Sequence, residues 1–490
     1  MSDELNSRTR TATKWSFLTE LLTRIITPVT QLVLARLLAP EAFGVLATVV
    51  MVSSFAEMLA DAGFQKYLIQ HQFDNSDDLD RASNVAFWSS MVVSLTLLSG
   101  IIVLREQIAV MVGTPGLGLP IAIAAAALPL TVLAGTQRAL FIRAFEYRKI
   151  LPIRLTAAIL PLVISVPLAL LGKGYWALII GLLGASLVNA LWLTVASEWK
   201  PRFYFSFALL RKMFAFSAWS LLEALAIWAT QWAGVLVVGS LLTPHELGLY
   251  RQPMVVVNSA FALVSGAATP VLFAALARLQ ADRDQFREFF LRFQFATAVA
   301  LFPVGAGAFL YRDFFVDLFF GPQWSEAALM FGAWGLSTSF TIVLSHYYSE
   351  VFRALGKPRV SLLAQCLYMA VMIPALYFAA MDGFTTLVIV NALIRIVLIA
   401  INQVLVYLVA DFGPSLLIRN LYIPFAASVA MGVPASYLAQ VAAGNWGLNA
   451  LTILACVGLY TAICMCFRRT RRLLIDTAVP LRKRSRAASS

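Results

Sequence analysis

From Trp15 to Phe467 the chain alternates long apolar runs with short polar connections. This pattern constrains the fold more than any other feature, because a hydrocarbon core about 30 Å thick is crossed by about 20 helical residues. Of the 490 residues, 60% are hydrophobic and 13% charged, whereas a soluble domain carries about 25% charged residues. An ordinary soluble protein is excluded. Apolar runs bounded by charges and turn residues fall at 14–37, 43–66, 84–104, 117–137, 152–172, 175–196, 213–240, 246–274, 290–311, 327–350, 360–380, 384–409, 419–440 and 447–467. The expectation is an all-α polytopic membrane protein with about 14 transmembrane helices.

The basic excess takes its meaning from that reading. Lys and Arg number 37 and the net charge is +12. With the N-terminus on the cytoplasmic side, 30 of these residues fall in inner segments, including both tails. Only Arg105, Lys173 and Arg312 fall in outer connections, and Arg24, Arg36, Arg251 and Arg395 lie within spans. Such an asymmetry orients a chain in the bilayer, so the charge marks cytoplasmic loops and not a nucleic-acid face. Both termini are therefore expected to be cytoplasmic. Residues 1–13 are polar, and the run after them lacks the h-region and cleavage site of a secretory signal, so the first helix is expected to be retained.

Several kinds of chemistry have no place in such a chain. Cys366, Cys456, Cys464 and Cys466 lie in or beside apolar spans and offer neither a disulfide framework nor the paired ligand clusters of a zinc site. No Gly-rich phosphate loop occurs, the connections leave no room for a soluble catalytic domain, and no cofactor or metal is expected. The acidic group Asp74, Asp77, Asp78 and Asp80 reads as a solvated inner loop. The basic tail through Arg482-Lys483-Arg484-Ser485-Arg486 reads as a contact for anionic membrane lipid or as plain positive-inside anchoring.

The sequence also contains a duplication. At an offset of 204 residues, Trp15/Trp219, Ser16/Ser220, Pro40/Pro244 and Gly44/Gly248 coincide, among ten matches in thirty positions. The shared Leu-Leu-x-Pro-x-x-x-Gly turn is the specific part. An even number of helices separates the copies, so both enter the membrane with the same polarity, as in transporters built from parallel repeats. The expected organisation is a six-helix bundle over 1–212, a second over 213–409, two extra helices within 410–467, and a basic cytoplasmic tail over 468–490.

Charges within the spans are the functional candidates, since one at the bilayer centre costs about 2.5–3.5 kcal/mol on insertion scales. Glu20 and Arg24 stand i, i+4 on the first helix, and Glu57 and Asp61 repeat that spacing on the second. Three carboxylates against one arginine leave an acidic excess able to hold a proton or attract a cation. Glu223 is nearly repeat-equivalent to Glu20, and Glu350 lies toward the inner end of helix 10 behind His346. Arg395 is the deepest arginine and either meets a substrate or pairs structurally. Arg36 and Arg251 lie nearer helix ends, where snorkelling to headgroups competes. Trp228 and Trp232, an i, i+4 pair, could stack on a sugar ring or pack toward lipid.

The stretch Leu34-Ala35-Arg36-Leu37-Leu38-Ala39-Pro40-Glu41-Ala42-Phe43-Gly44, continued through Leu59-Ala60-Asp61-Ala62-Gly63-Phe64 to Leu68-Ile69-Gln70, resembles the opening of the polysaccharide-transport flippases. These belong to the multidrug/oligosaccharidyl-lipid/polysaccharide exporter superfamily. The Arg353-Ala354-Leu355-Gly356-Lys357-Pro358 turn is similar to the same family's pattern. The resemblance implies a V-shaped pair of bundles in a bacterial inner membrane, and a flippase for undecaprenyl-diphosphate-linked oligosaccharides in exopolysaccharide, O-antigen or capsule synthesis. It implies the polymerase and glycosyltransferases of that pathway as partners. Arg24 and Arg251 look like the arginines of a cationic cavity, with Arg395, Arg36, Trp228 and Trp232 as further substrate contacts. Glu20, Glu57, Asp61, Glu223 and Glu350 would couple movement to an ion or proton gradient. Helix 2 departs from the peptidoglycan-precursor branch, offering Glu57 and Asp61 where that branch has a further arginine. A multidrug or cation exporter of the same superfamily is the first alternative. An integral-membrane glycosyltransferase or ligase, using the Arg312, Asp313 and Asp317 cluster, is the second.

Overall fold

A computed structural model describes residues 15, 19, 22, 23 and 25–471. Among them there is no β-strand, and thirteen helices are long and apolar enough to cross a membrane, with a shorter apolar helix at Ile25–Leu37. The all-helical polytopic class expected from the sequence is the one found. The beginning of the first expected span lies outside the described residues, as does the tail from residue 472.

The chain divides into two compact units, Met1–Gln252 and Pro253–Ser490. The first contains α1 (Ile25–Leu37), α2 (Pro40–Asp61), α3 (Phe64–Gln70), α4 (Ser76–Val103), α5 (Arg105–Met111), α6 (Gly118–Ala125), α7 (Ala127–Arg143), α8 (Tyr147–Leu170), α9 (Tyr175–Ala196) and α10 (Phe207–Leu241), together with the first turns of α11 (Pro244–Leu279). Two of its helix starts show the local logic. Asn75 accepts from the Asp78 amide at 2.7 Å, and Pro40 begins α2, where its missing N–H costs nothing. Small residues let its helices approach closely. Ala60, Ala62, Ala82, Ala86, Ala134, Ala139 and Ala190 are buried, because helices in lipid gain little from burying bulk apolar surface and associate by close backbone packing. Large apolar side chains such as Val103, Val195 and Leu170 point outward, as a lipid-facing surface requires.

The duplicated turn is where the two copies meet. Pro40 and Pro244 each open a helix, and Gly44 and Gly248 lie four residues beyond. A methyl group on Gly44 would fall 1.8 Å from the Pro244 carbonyl oxygen, and one on Gly248 would fall 1.9 Å from that of Pro40. The contact is reciprocal, and only glycine lets the backbones approach this closely. His245, which matches Glu41 at the repeat offset, places Nδ1 2.6 Å from Glu41 Oε1.

The second unit holds the rest of α11, then α12 (Arg283–Leu310), α13 (Arg312–Phe319), α14 (Ala328–Thr341), α15 (Tyr348–Ala354), α16 (Pro358–Asp382), α17 (Phe384–Leu393), α18 (Arg395–Ala410), α19 (Pro414–Val441) and α20 (Trp446–Cys466). Helix α12 packs on α14 and α19, and α19 on α20, around Phe295, Val299, Ile423, Met431 and Tyr460. Two runs that read as single spans are interrupted. A π segment at Ile342–His346 separates α14 from α15, and Ile394 separates α17 from α18 just before Arg395. Such interruptions loosen the i→i−4 ladder and recur at functional positions.

Candidate functional site

In the first unit, polar side chains from four helices converge. Thr27, Thr30 and Gln31 of α1, Arg138 of α7, Arg154 of α8, and Ser186 and Asn189 of α9 line a cavity of about 590 Å³. Arg138 also forms part of the wall of a second cavity, of about 90 Å³, shared with Glu57 and Asp61 of α2, Gln65, Ser90 and Thr136. The Arg138 guanidinium therefore feels Glu57 and Asp61 as attractive neighbours and Arg154 as a repulsive one. The arrangement follows from the cost of isolated charge in hydrocarbon: two acids offset Arg138, and Arg154 lies in the wall of the larger, hydratable space. The Gln65 amide donates to Asp61 Oδ1 at 3.3 Å. The Gln65 side chain packs against Gly135 of α7, where a methyl group would fall 2.7 Å from its terminal nitrogen.

Arg138 and Arg154 were missed by sequence reasoning, which counts both in an inner connection. Helix α7 runs to Arg143 and α8 begins at Tyr147, so both arginines lie on helices. The available signal was the apolar stretch Ala139-Leu140-Phe141-Ile142, which carries the helical pattern past Arg138.

A layer of aromatic and amide groups completes this unit. The Arg251 guanidinium lies 4.7 Å from the Trp232 ring centroid, and Gln252 donates to Gln31 Oε1 at 3.3 Å, joining α11 to α1. Trp228 donates to Ser54 Oγ at 3.0 Å and sits 4.8 Å from the Phe55 ring. The structure thus brings Arg251 and Trp232 together, buries Trp232, and turns Trp228 toward α2. Glu223 pairs with Lys66 at 3.2 Å, both side chains exposed. Arg36 is exposed near the end of α1. Glu20 and Arg24 lie outside the described residues.

In the second unit Arg395 is held from two sides. Its guanidinium lies 3.4 Å from the Trp334 centroid and donates to Thr338 Oγ1 at 2.7 Å. Trp334 is anchored in turn by donating to Asn258 Oδ1 at 2.9 Å. Glu350 is buried and accepts from Arg353. The same unit contains an apolar groove of about 710 Å³, whose walls include Val257, Phe261, Val304, Phe331, Met431 and Val457. No group of three or more His, Cys, Asp or Glu among the described residues is placed to hold a metal ion.

The whole arrangement resembles known membrane proteins. The polysaccharide biosynthesis protein family matches residues 33–329. The chain is 27% identical over 338 residues to the succinoglycan biosynthesis transport protein ExoT of Rhizobium meliloti (strain 1021), covering 69% of this chain and 68% of that one. It is 23% identical over 330 residues to the lipopolysaccharide biosynthesis protein WzxC of Escherichia coli (strain K12), covering 66% and 65%. Its fold is similar to that of the lipid II flippase MurJ in an inward closed conformation, with a TM-score of 0.75, 13% identity, and coverage of 93% of this chain and 98% of that one. The chain belongs to the polysaccharide biosynthesis protein family, and within it is a multi-pass membrane transporter.

Proposed function

We propose that this protein is a flippase that carries undecaprenyl-diphosphate-linked oligosaccharide repeat units from the inner to the outer leaflet of a bacterial inner membrane, for exopolysaccharide, O-antigen or capsule synthesis. The observation that carries the reading is the cavity of about 590 Å³ with Arg138 and Arg154 in its wall. A diphosphate and its sugars do not cross hydrocarbon unaided, because stripping water from charge is prohibitive. Arginines offering fixed, charge-assisted donors lower that cost without covalent chemistry. Threonine, glutamine and asparagine side chains beside them suit hydroxyl-rich cargo. The apolar groove of about 710 Å³ suits a polyprenyl chain.

Movement is by alternating access, with Glu57 and Asp61 as the coupling acids. Their cavity of about 90 Å³ accommodates a proton or small ion. Arg24, Arg36, Arg251 and Arg395 contribute positive potential along the path, with Trp228 and Trp232 as aromatic walls and Glu20, Glu223 and Glu350 as further coupling groups. Both termini are cytoplasmic, and the repeats at 1–212 and 213–409 are the moving parts. Pathway glycosyltransferases supply the substrate and a polymerase consumes it. The test is complementation of a deletion strain: wild type restores polymer export, while Arg138→Ala/Arg154→Ala, at equal folded protein, restores less than about a tenth, as loss of a charge-assisted contact of about 1.5–3 kcal/mol requires. Export at the wild-type level would sink the proposal.

A further inference from the structure

A third cavity, with charged and polar groups in its wall, lies within the second unit. It has a volume of about 490 Å³ and is walled by the end of α12, by α13, by the last turns of α19, and by the start of α20. Its size falls within the range of small-molecule sites, about 300–1,000 Å³. Trp446, 49% exposed, forms one wall and donates its indole N–H to Asp317 Oδ2 at 2.9 Å, which fixes the ring. Arg312, Asp313, Ser436 and Gln440 contribute polar side chains around it. Asn449 braces the turn before α20 by donating to Ala442 O at 2.8 Å and Asn445 O at 3.1 Å, so the ring stands on a defined support. The cavity lies at the opposite end of α20 from the basic residues Arg468, Arg469 and Arg471, the end that the charge asymmetry of the chain assigns to the outer face.

We propose that this cavity is a carbohydrate site, taking one or two pyranose rings of the head group once it has reached the outer side. The charge on its wall excludes the obvious competitors: two carboxylates against one guanidinium repel phosphate and anionic lipid heads. Covering Arg312, Asp313 and Asp317 with an acyl chain would cost their desolvation without a compensating hydrogen bond. Carboxylate and amide groups accept from and donate to sugar hydroxyls, while an indole presents a flat apolar face to ring C–H groups. An interfacial anchor would turn its ring toward headgroups. Here the indole lines a concave wall and is tied to another helix.

The site rests on the flippase reading for the source of its ligand, and the experiment separates the two. Cys366 and Cys466, the exposed cysteines, are replaced by serine, Gln440→Cys is introduced on the cavity wall, and cells with a permeabilised outer membrane are labelled with a membrane-impermeant maleimide. Two hosts are compared, one making lipid-linked repeat units and one lacking the initiating glycosyltransferase, with polymer export measured in the first. Labelling is expected to be about five- to tenfold slower in the producing host, and Trp446→Ala or Asp317→Ala, each removing a polar or stacking group from the wall, restores the fast rate. Equal rates in both hosts with normal export overturn the site and leave the flippase reading standing. Labelling in neither host overturns its outer placement. Protection that survives both substitutions overturns the role of the indole and carboxylate.

Discussion

Arg138 is the residue on which the electrostatics of the first unit turn, because it faces Glu57 and Asp61 on one side and the cavity containing Arg154 on the other. Replacing it with alanine strands two carboxylates in the bilayer. The expected outcome is a stability loss of about 3 kcal/mol, the lower end for breaking a buried pair, read as a drop in folded yield and melting temperature. Adding Glu57→Gln and Asp61→Asn to Arg138→Ala should restore folding without restoring export. Trp232→Ala should cost about 3–5 kcal/mol, because it removes a buried indole as well as its contact with Arg251, and Trp232→Phe less, checked by thermal melts in detergent. Sequence reasoning found Arg251 and Arg395 because each interrupts an otherwise apolar run. It missed Arg138 and Arg154, which stand among other basic residues near helix ends, where the same composition serves either a cytoplasmic loop or the interior of a bundle. For Trp228 and Trp232 the spacing fixed a shared helix but left the partner open, since Ser54 and Arg251 come from other helices.

At the scale of elements, the contact between α2 and the start of α11 shows what a repeated turn accomplishes. Gly44→Ala and Gly248→Ala each push a methyl group into the partner's proline carbonyl, and each should destabilise the protein by about 1–3 kcal/mol. Because both methyl groups spread the same pair of helices, the double variant should lose less than the sum. Gly458→Ala, on a helix with open space beside it, serves as the control and should leave the melting temperature unchanged or raise it, given the helix preference for alanine of about 1 kcal/mol. The Pro-x-x-x-Gly turn was visible in sequence, but its reciprocal contact was not, because periodicity describes one helix at a time. The breaks at Ile342–His346 and Ile394 were hidden for a related reason: apolar composition is continuous across both, and only packing against neighbouring helices selects where the hydrogen-bond ladder gives way.

At the scale of the whole molecule, the class was legible from the alternation of apolar runs, since the bilayer imposes span length and helical structure together. The site was legible only in part. Positions such as Glu57 and Asp61 could be named from their cost in lipid, yet their joining to Arg138 depends on tertiary packing of α2 against α7. The central claim concerns which leaflet holds the cargo, so the most direct measurement is the sidedness of lipid-linked repeat units after depletion of this protein from a producing strain. The account predicts that intact units accumulate on the cytoplasmic leaflet, that polymer export stops, and that wild-type protein, but not Arg138→Ala/Arg154→Ala at equal folded level, moves them outward again. Repeat units reaching the outer leaflet at the normal rate in depleted cells would contradict it.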